Sequence, residues 1–172
     1  MNIELQSKLI QALASADMLW RADWRYGSPS KPMLKWVSVT RLDKPRIELG
    51  LSSEAGWVRI TEAAVTEYKP GKPCVFLLPV LEIDLGDAHR ALEQGVQARG
   101  LSTEFITVFP FEEVVATGLE SHSEHWAGLA LKWAEQMPST PRLQNALQTM
   151  TKSGPTQKLR HAAQKLVTRH SS

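Results

Sequence analysis

The spacing of apolar residues switches between two periods along this chain of 172 residues, and that switch limits the fold more than any other feature. From Met18 to Thr61 apolar side chains fall in short β-rich runs, clearest at the alternating Trp20, Ala22, Trp24 and Tyr26. From Leu85 onward they recur at every third or fourth position. A period of two belongs to strands and a period near 3.6 to helices packed on one side. Strands grouped in the first half and helices in the second read as an α+β fold.

The individual elements follow from the same spacing. Ile3, Leu5, Leu9, Ile10 and Leu13 place one apolar stripe on a helix over residues 2–16. Trp20, Ala22, Trp24 and Tyr26 alternate with Arg21, Asp23 and Arg25, the pattern of a half-buried strand. Gly27 to Pro32 is turn chemistry. The runs 34–41, 46–51 and 57–61 are divided by Asp43-Lys44-Pro45 and by Ser52 to Gly56, which predicts an antiparallel meander. Cys74 to Leu78 reads as the most apolar strand and the centre of the sheet, and Glu104 to Phe109 as the last strand.

Helix signals dominate the rest. Asp87 is expected to cap a helix that ends at Gly100, a residue suited to a left-handed helix end. Ser121 and Glu124 have capping-box spacing, and Trp126, Leu129, Ala130, Trp133, Ala134 and Met137 form an apolar stripe behind them. Pro141 and Pro155 each stand where the first turn of a helix tolerates proline. Leu143, Ala146, Leu147 and Met150 mark one face of the first of these helices, and Leu159, Ala162, Leu166 and Val167 one face of the second. The expected architecture is a single domain over 1–172: an N-terminal helix and an antiparallel sheet of five to six strands within 1–109, then a cluster of three to four helices within 110–172.

Composition narrows the function classes. A single cysteine, Cys74, excludes a disulfide framework and a cysteine-rich zinc site, and fits a reducing compartment. Glu4, Gln6 and Lys8 interrupt the first apolar segment, so no signal peptide is expected and the location read from the sequence is cytoplasmic. The longest apolar run, Val75 to Leu81, contains a proline and is far short of the ~20 residues that span a bilayer, so no membrane partner is expected.

Charge is unevenly spread. Residues 1–81 carry 11 basic and 8 acidic groups, residues 82–135 carry 3 and 10, and residues 136–172 carry 6 and none. The simplest reading is that the basic end packs near the acidic middle of the same molecule. Lys158, Arg160, His161, Lys165 and Arg169 read as spread around the last helix, and a net charge of +2 is far below that of a dedicated nucleic-acid binder, which weighs against a nucleic-acid partner.

No catalytic signature is decisive. His122, Glu124 and His125, with Glu112 or Glu113, could supply metal-assisted or acid/base chemistry, but the two histidines are three apart where zinc-peptidase helices need four. Ser121 and Glu124 are accounted for by capping alone. Cys74 opens an apolar strand and reads as a buried thiol. Pro70-Gly71-Lys72-Pro73 lacks the upstream glycine and the Ser or Thr of a phosphate loop. No metal, cofactor or catalytic residue is therefore assigned.

Six tryptophans remain the most informative compositional feature. Trp126 and Trp133 are explained by the apolar helix stripe. Trp20, Trp24 and Trp36 are interleaved with Arg21, Arg25 and Lys35, and large aromatic side chains beside guanidinium groups serve as interface anchors. The expectation is a non-enzymatic, cytosolic protein-binding module that captures or neutralises a protein partner through Trp20, Arg21, Trp24, Arg25 and Trp36. A toxin-neutralising immunity protein or an adaptor would be an example. The alternatives are the His122/Glu124/His125 enzyme and nucleic-acid binding through the basic C-terminal helices.

Overall fold

Ile3–Ser15 forms helix α1, with Leu9 and Leu13 buried at the four-residue spacing that sets two side chains on one face. The computed structural model describes residues 3–25 and 27–170; the helical position expected for Asn2 and the strand position expected for Tyr26 lie outside the described residues. Five strands follow: β1 Arg21–Trp24, β2 Met33–Leu42, β3 Ile47–Ser52, β4 Trp57–Ile60 and β5 Val65–Glu67. They pair antiparallel in the order β1-β2-β3-β4-β5, the expected meander. The fold is α+β, with an N-terminal helix, a five-stranded antiparallel sheet and C-terminal helices.

The chain divides into two compact units, one running to Lys72 and including Gly86–Phe109, the other formed by Pro73–Leu85 and the residues from Pro110 onward. In the first unit the sheet curls, because Arg25 at the end of β1 bridges Val65 of β5. One sheet face carries the cluster of Leu34, Trp36, Val58 and Val65 with Ile60 packed against it. The other face holds Val37, Leu51 and Trp57, aligned across three strands and all buried. Helix α2 (Leu85–Gln97) comes close to β2 through Gly95, where an added Cβ would lie 2.7 Å from the Val39 carbonyl oxygen. The β2–β3 register shifts at that point, between Ser38 and Thr40. As expected, Gly100 terminates α2 in a left-handed conformation, φ 68°, with the bonds Gly100 N–H to the Gln97 carbonyl and Leu101 N–H to the Val96 carbonyl that close a Schellman end.

Several sequence expectations are corrected in these units. β1 is a strand but all four residues are exposed, so it is an edge rather than a half-buried strand. β5 was not anticipated, since three residues are too short for alternation to register. Glu104 to Phe109 is not a strand: Glu104–Thr107 forms the short helix α3, started by Ser102 and Thr103, whose carbonyls accept from Phe105 and Ile106. Asp87 is not a cap, because α2 begins two residues earlier, and it pairs instead with Arg90 within the first turns.

In the second unit, Cys74 to Leu78 is not a central strand. Val75–Glu82 is a 3-10 helix with Leu77, Leu78, Val80 and Leu81 buried. An apolar run without periodicity fits a buried helix as well as a strand, and Pro79 has no N–H for a ladder. Four α-helices follow: α4 Phe111–Glu120, α5 Glu124–Ala134, α6 Pro141–Ser153 and α7 Gln157–His170. Helix α4 is buried from Val114 through Leu119 and contacts α5, α6 and the 3-10 helix, so it is the centre of the unit. At Gly118 an added Cβ would lie 2.8 Å from the Cβ of Ala130, which sets how closely α4 and α5 approach. The N-cap of α5 is Ser123, whose hydroxyl accepts from Trp126 N–H, while Ser121 donates to the Gly118 carbonyl at the end of α4. Thr140 and Pro141 open α6 as expected, and its predicted face is fully buried. Pro155 lies just ahead of α7, which starts at Gln157 behind Thr156, whose hydroxyl accepts from Leu159 N–H.

Among the described residues no helix is long and apolar enough to cross a membrane.

Candidate functional site

The first unit carries most of the apolar side chains left uncovered. Among the described residues, six large apolar side chains are exposed, and five of them, Ile3, Ile10, Leu19, Trp24 and Met33, lie in the first 33 positions. Scattered exposed apolar residues are the ordinary case, so the parts of this segment that form a concave surface are the informative ones. The sixth, Val75, belongs to the other unit.

Helix α1 and the β1 edge enclose a groove of about 430 Å³. Ile10, Leu13 and Ala14 reach it from α1, at the i, i+3, i+4 spacing of one helix face. Trp20, half-buried just before β1, closes it from the other side. Arg21 of β1 and Lys35 of β2 stand at its rim, both exposed, and among the described residues no acidic side chain lines it. Ala22 faces Lys35 and Trp24 faces Met33 across the β1–β2 pair, so Trp24 and Met33 extend the apolar surface along the sheet.

The five residues predicted to bind a partner therefore separate into two groups. Trp20, Arg21 and Trp24 reach the surface. Trp36 does not: it is 3% exposed, its indole N–H donates to Asp23 at 2.9 Å, and the Arg21 guanidinium stands 5.5 Å above its ring. Its role is to hold β1 on β2 and to carry Arg21 from below. Arg25 is also used internally, donating to Glu67 and, at 2.7 Å, to Glu54. Ile10, Leu13, Ala14 and Lys35 complete the groove and were missed. The helix-face spacing of the first three was legible, but which face of α1 stays open was not.

Arg25 belongs to a buried polar cluster that closes the curled sheet. Glu67, only 4% exposed, accepts from Ser52 Oγ at 2.7 Å and from Lys69 Nζ at 2.5 Å as well as from Arg25. Ser52 in turn accepts from the Gly56 N–H at 3.0 Å, tying the β3–β4 turn to the same carboxylate. Burial pushes the Glu67 carboxyl upward, but the hydrogen bonds of Lys69 and Ser52 and the charges of Lys69 and Arg25 together hold its pKa below the ordinary 4.5. Every oxygen of the cluster is spoken for by the fold, so it is a clasp between strands.

In the second unit the candidate reaction centre does not assemble. His122 and His125 are exposed, and His125 Nε2 lies 3.6 Å from Glu82 with its ring 4.6 Å from that of Trp126. Glu124 is an exposed first-turn residue of α5. Glu112 accepts from the Thr140 hydroxyl, and Glu113 and Glu120 hold Arg142. Arg142 thus realises part of the expected pairing between the basic end and the acidic middle. Among the described residues no group of three or more His, Cys, Asp or Glu could hold a metal ion.

Cys74 is buried, with its N–H donating to Thr117 Oγ1 at 3.2 Å and its Sγ 3.5 Å from the same oxygen. Burial pushes the thiol pKa up to about 11. At pH 8 the native thiol should react with a disulfide reagent at least about a hundredfold more slowly than a free cysteine, whose thiol titrates near 8.5. Rapid labelling without unfolding would contradict this environment.

Comparison with family models, curated proteins and solved structures finds no match for this chain.

Proposed function

We propose that the strand-bearing unit is a non-enzymatic protein-recognition module, whose groove between α1 and β1 takes an apolar side chain of a protein partner flanked by carboxylates. The observation that carries the reading is the groove's make-up: an apolar lining of Ile10, Leu13, Ala14 and Trp20 beneath a rim of Arg21 and Lys35, with no lining acid among the described residues. A tryptophan in the wall of a concave surface is a common anchor of a binding hot spot, and rim cations select the charge of the partner and speed its encounter. The exposed Trp24–Met33 pair lengthens the contact beyond one side chain. Capture of a toxin-like partner in a cytosolic setting is the finer form of this reading, supported by the anchor chemistry and by a single buried thiol suited to reducing conditions.

The test uses two pools of twelve-residue peptides built on a central Leu or Trp, one flanked by Asp and Glu, the other by Lys and Arg. Acidic-flanked peptides should bind the full chain and quench Trp20 emission, and basic-flanked peptides should not. The double substitution Arg21→Glu, Lys35→Glu should weaken the acidic pool by about tenfold or more at low salt and reverse the charge preference. Both residues are exposed, so the thermal midpoint should move little. Equal binding of the two pools, or an unchanged affinity in the double variant, would remove the proposal.

A further inference from the structure

Helix α7 presents a second surface of different chemistry. Lys158, His161, Lys165 and Arg169 all line one groove of about 730 Å³, which α7 forms with the end of α5 at Glu135. These charges are not spread around the helix as expected: at about 100° per residue the four fall within an arc of about 80°. The remaining cation, Arg160, lies on the other side and is used locally, donating to the Gly154 carbonyl at 2.7 Å. The basic line borders the packed face, where Ala163 and Leu166 are buried.

We infer that this groove binds the phosphodiester backbone of a nucleic acid without reading its sequence. From Lys158 to Arg169 is eleven helical rises, about 16 Å, which on a strand carrying one phosphate per ~3.4 Å of axis faces four to five phosphates. Three permanent cations and an imidazole along one line match a row of anions better than a single one. Among the described residues His161 is the one aromatic ring in the lining on which a base could stack, so the contact is with phosphate and not with base.

Two other polyanions fit less well. Leu166 is 5% exposed and the other apolar lining residue, Ala162, is small, so the groove offers no large open apolar anchor for an acidic peptide. Among the described residues no large exposed apolar side chain lies on α7 to enter a lipid interface, and the surface is concave. Arg169 donates to the Glu135 backbone carbonyl at 2.8 Å, which pins the far end of the line while leaving its other donors for a ligand. Glu135 is the one carboxylate in the lining and opposes an anion, which gives the inference a substitution of opposite sign.

The experiment is fluorescence anisotropy of the full chain with a labelled twenty-nucleotide oligothymidine and a labelled twenty-base-pair duplex of scrambled sequence, from 25 to 200 mM salt. Binding of either form supports the inference, with log K falling against log salt at a slope of about −2 for the single strand or about −3 for the duplex, as three neutralised phosphates require. Lys158→Glu with Lys165→Glu should weaken binding at least tenfold and cut the slope to about a third, with an unchanged circular dichroism spectrum because both residues are exposed. Glu135→Gln should tighten binding by two- to threefold. No binding of either oligonucleotide, a salt-independent signal, an unchanged affinity in the double variant, or equal affinity for poly-glutamate or for phosphatidylserine vesicles would overturn it.

Discussion

Trp57→Ala should cost about 4 kcal/mol, the upper part of the range for single substitutions, because three losses fall on one side chain. Trp57 is 1% exposed, its indole N–H donates to the Phe105 carbonyl at 2.9 Å, and its ring meets Phe109 edge-on at 5.2 Å and 81°. The substitution leaves a cavity beneath β4, takes the indole donor from the Phe105 carbonyl and removes the edge-on contact to Phe109. A domain of this size has roughly 5–15 kcal/mol of net stability, so the thermal midpoint should drop by about 10 °C. Trp57→Phe separates the terms: most of the apolar volume is kept, and the lost hydrogen bond to the Phe105 carbonyl should account for about 1–2 kcal/mol. Exposed Trp24→Ala should change stability by less than about 0.5 kcal/mol. Urea denaturation, with hydrogen exchange at β2 to β4 to localise the loss, checks all three. A Trp57→Ala cost below about 1 kcal/mol would mean that the indole is not holding α3 against the sheet.

Glu67→Ala should also be damaging, at about 2–3 kcal/mol, because it takes the buried partner from a guanidinium that the fold has largely removed from water and leaves it only the exposed Glu54. The Arg25 side chain is only 16% exposed, whereas Lys69 at 45% can return to solvent, so most of the loss is expected at Arg25. The pH dependence has a definite sign. The folded carboxyl titrates below its ordinary 4.5, so its stabilising contribution is fully present above that value and disappears as pH falls through the folded pKa. Glu67→Gln keeps the shape and cannot titrate. Its stability should therefore be lower than that of the parent at pH 7 and should converge on it as pH falls through the folded pKa of Glu67, which lies below 4.5. Parallel stability curves for the two proteins from pH 7 to pH 3 would show that Glu67 is not the titrating clasp.

These two residues illustrate what was legible in advance. Trp57 falls in a strand run that the spacing predicts, but nothing in that run singled it out as the anchor of the core. Its hydrogen bond to Phe105 was not legible either, because the partner is 48 positions away in a segment that reads as a strand. Glu67 was invisible: a three-residue strand offers no period, and a lone glutamate among threonine and tyrosine gives no hint that Arg25, Ser52 and Lys69 will converge on it. The candidate groove was half legible. Trp20, Arg21 and Trp24 were singled out by composition, whereas Arg25 and Trp36, of the same pattern, were drawn inward by pairing with Glu67 and Asp23.

Helix signals fared best where they rest on local chemistry. Thr140-Pro141 and Gly100 act within one turn of their own residue, and each marks a helix end as expected. The capping box at Ser121 failed by two positions because two helices meet there, and Ser121 closes α4 while Ser123 opens α5. The basic groove lay within reach of the helical wheel, but only the position of α7 against the end of α5 makes it concave.

What the residues themselves settled is the order of strands before helices, the meander, the buried thiol and most helix faces, because periodicity and turn chemistry act over a few neighbours. Which apolar face stays open, which arginine is sequestered and whether an unpatterned apolar run becomes strand or 3-10 helix were decided only in three dimensions. Those outcomes depend on competition for burial and for hydrogen-bond partners among residues tens of positions apart, and no local spacing encodes the result of that competition.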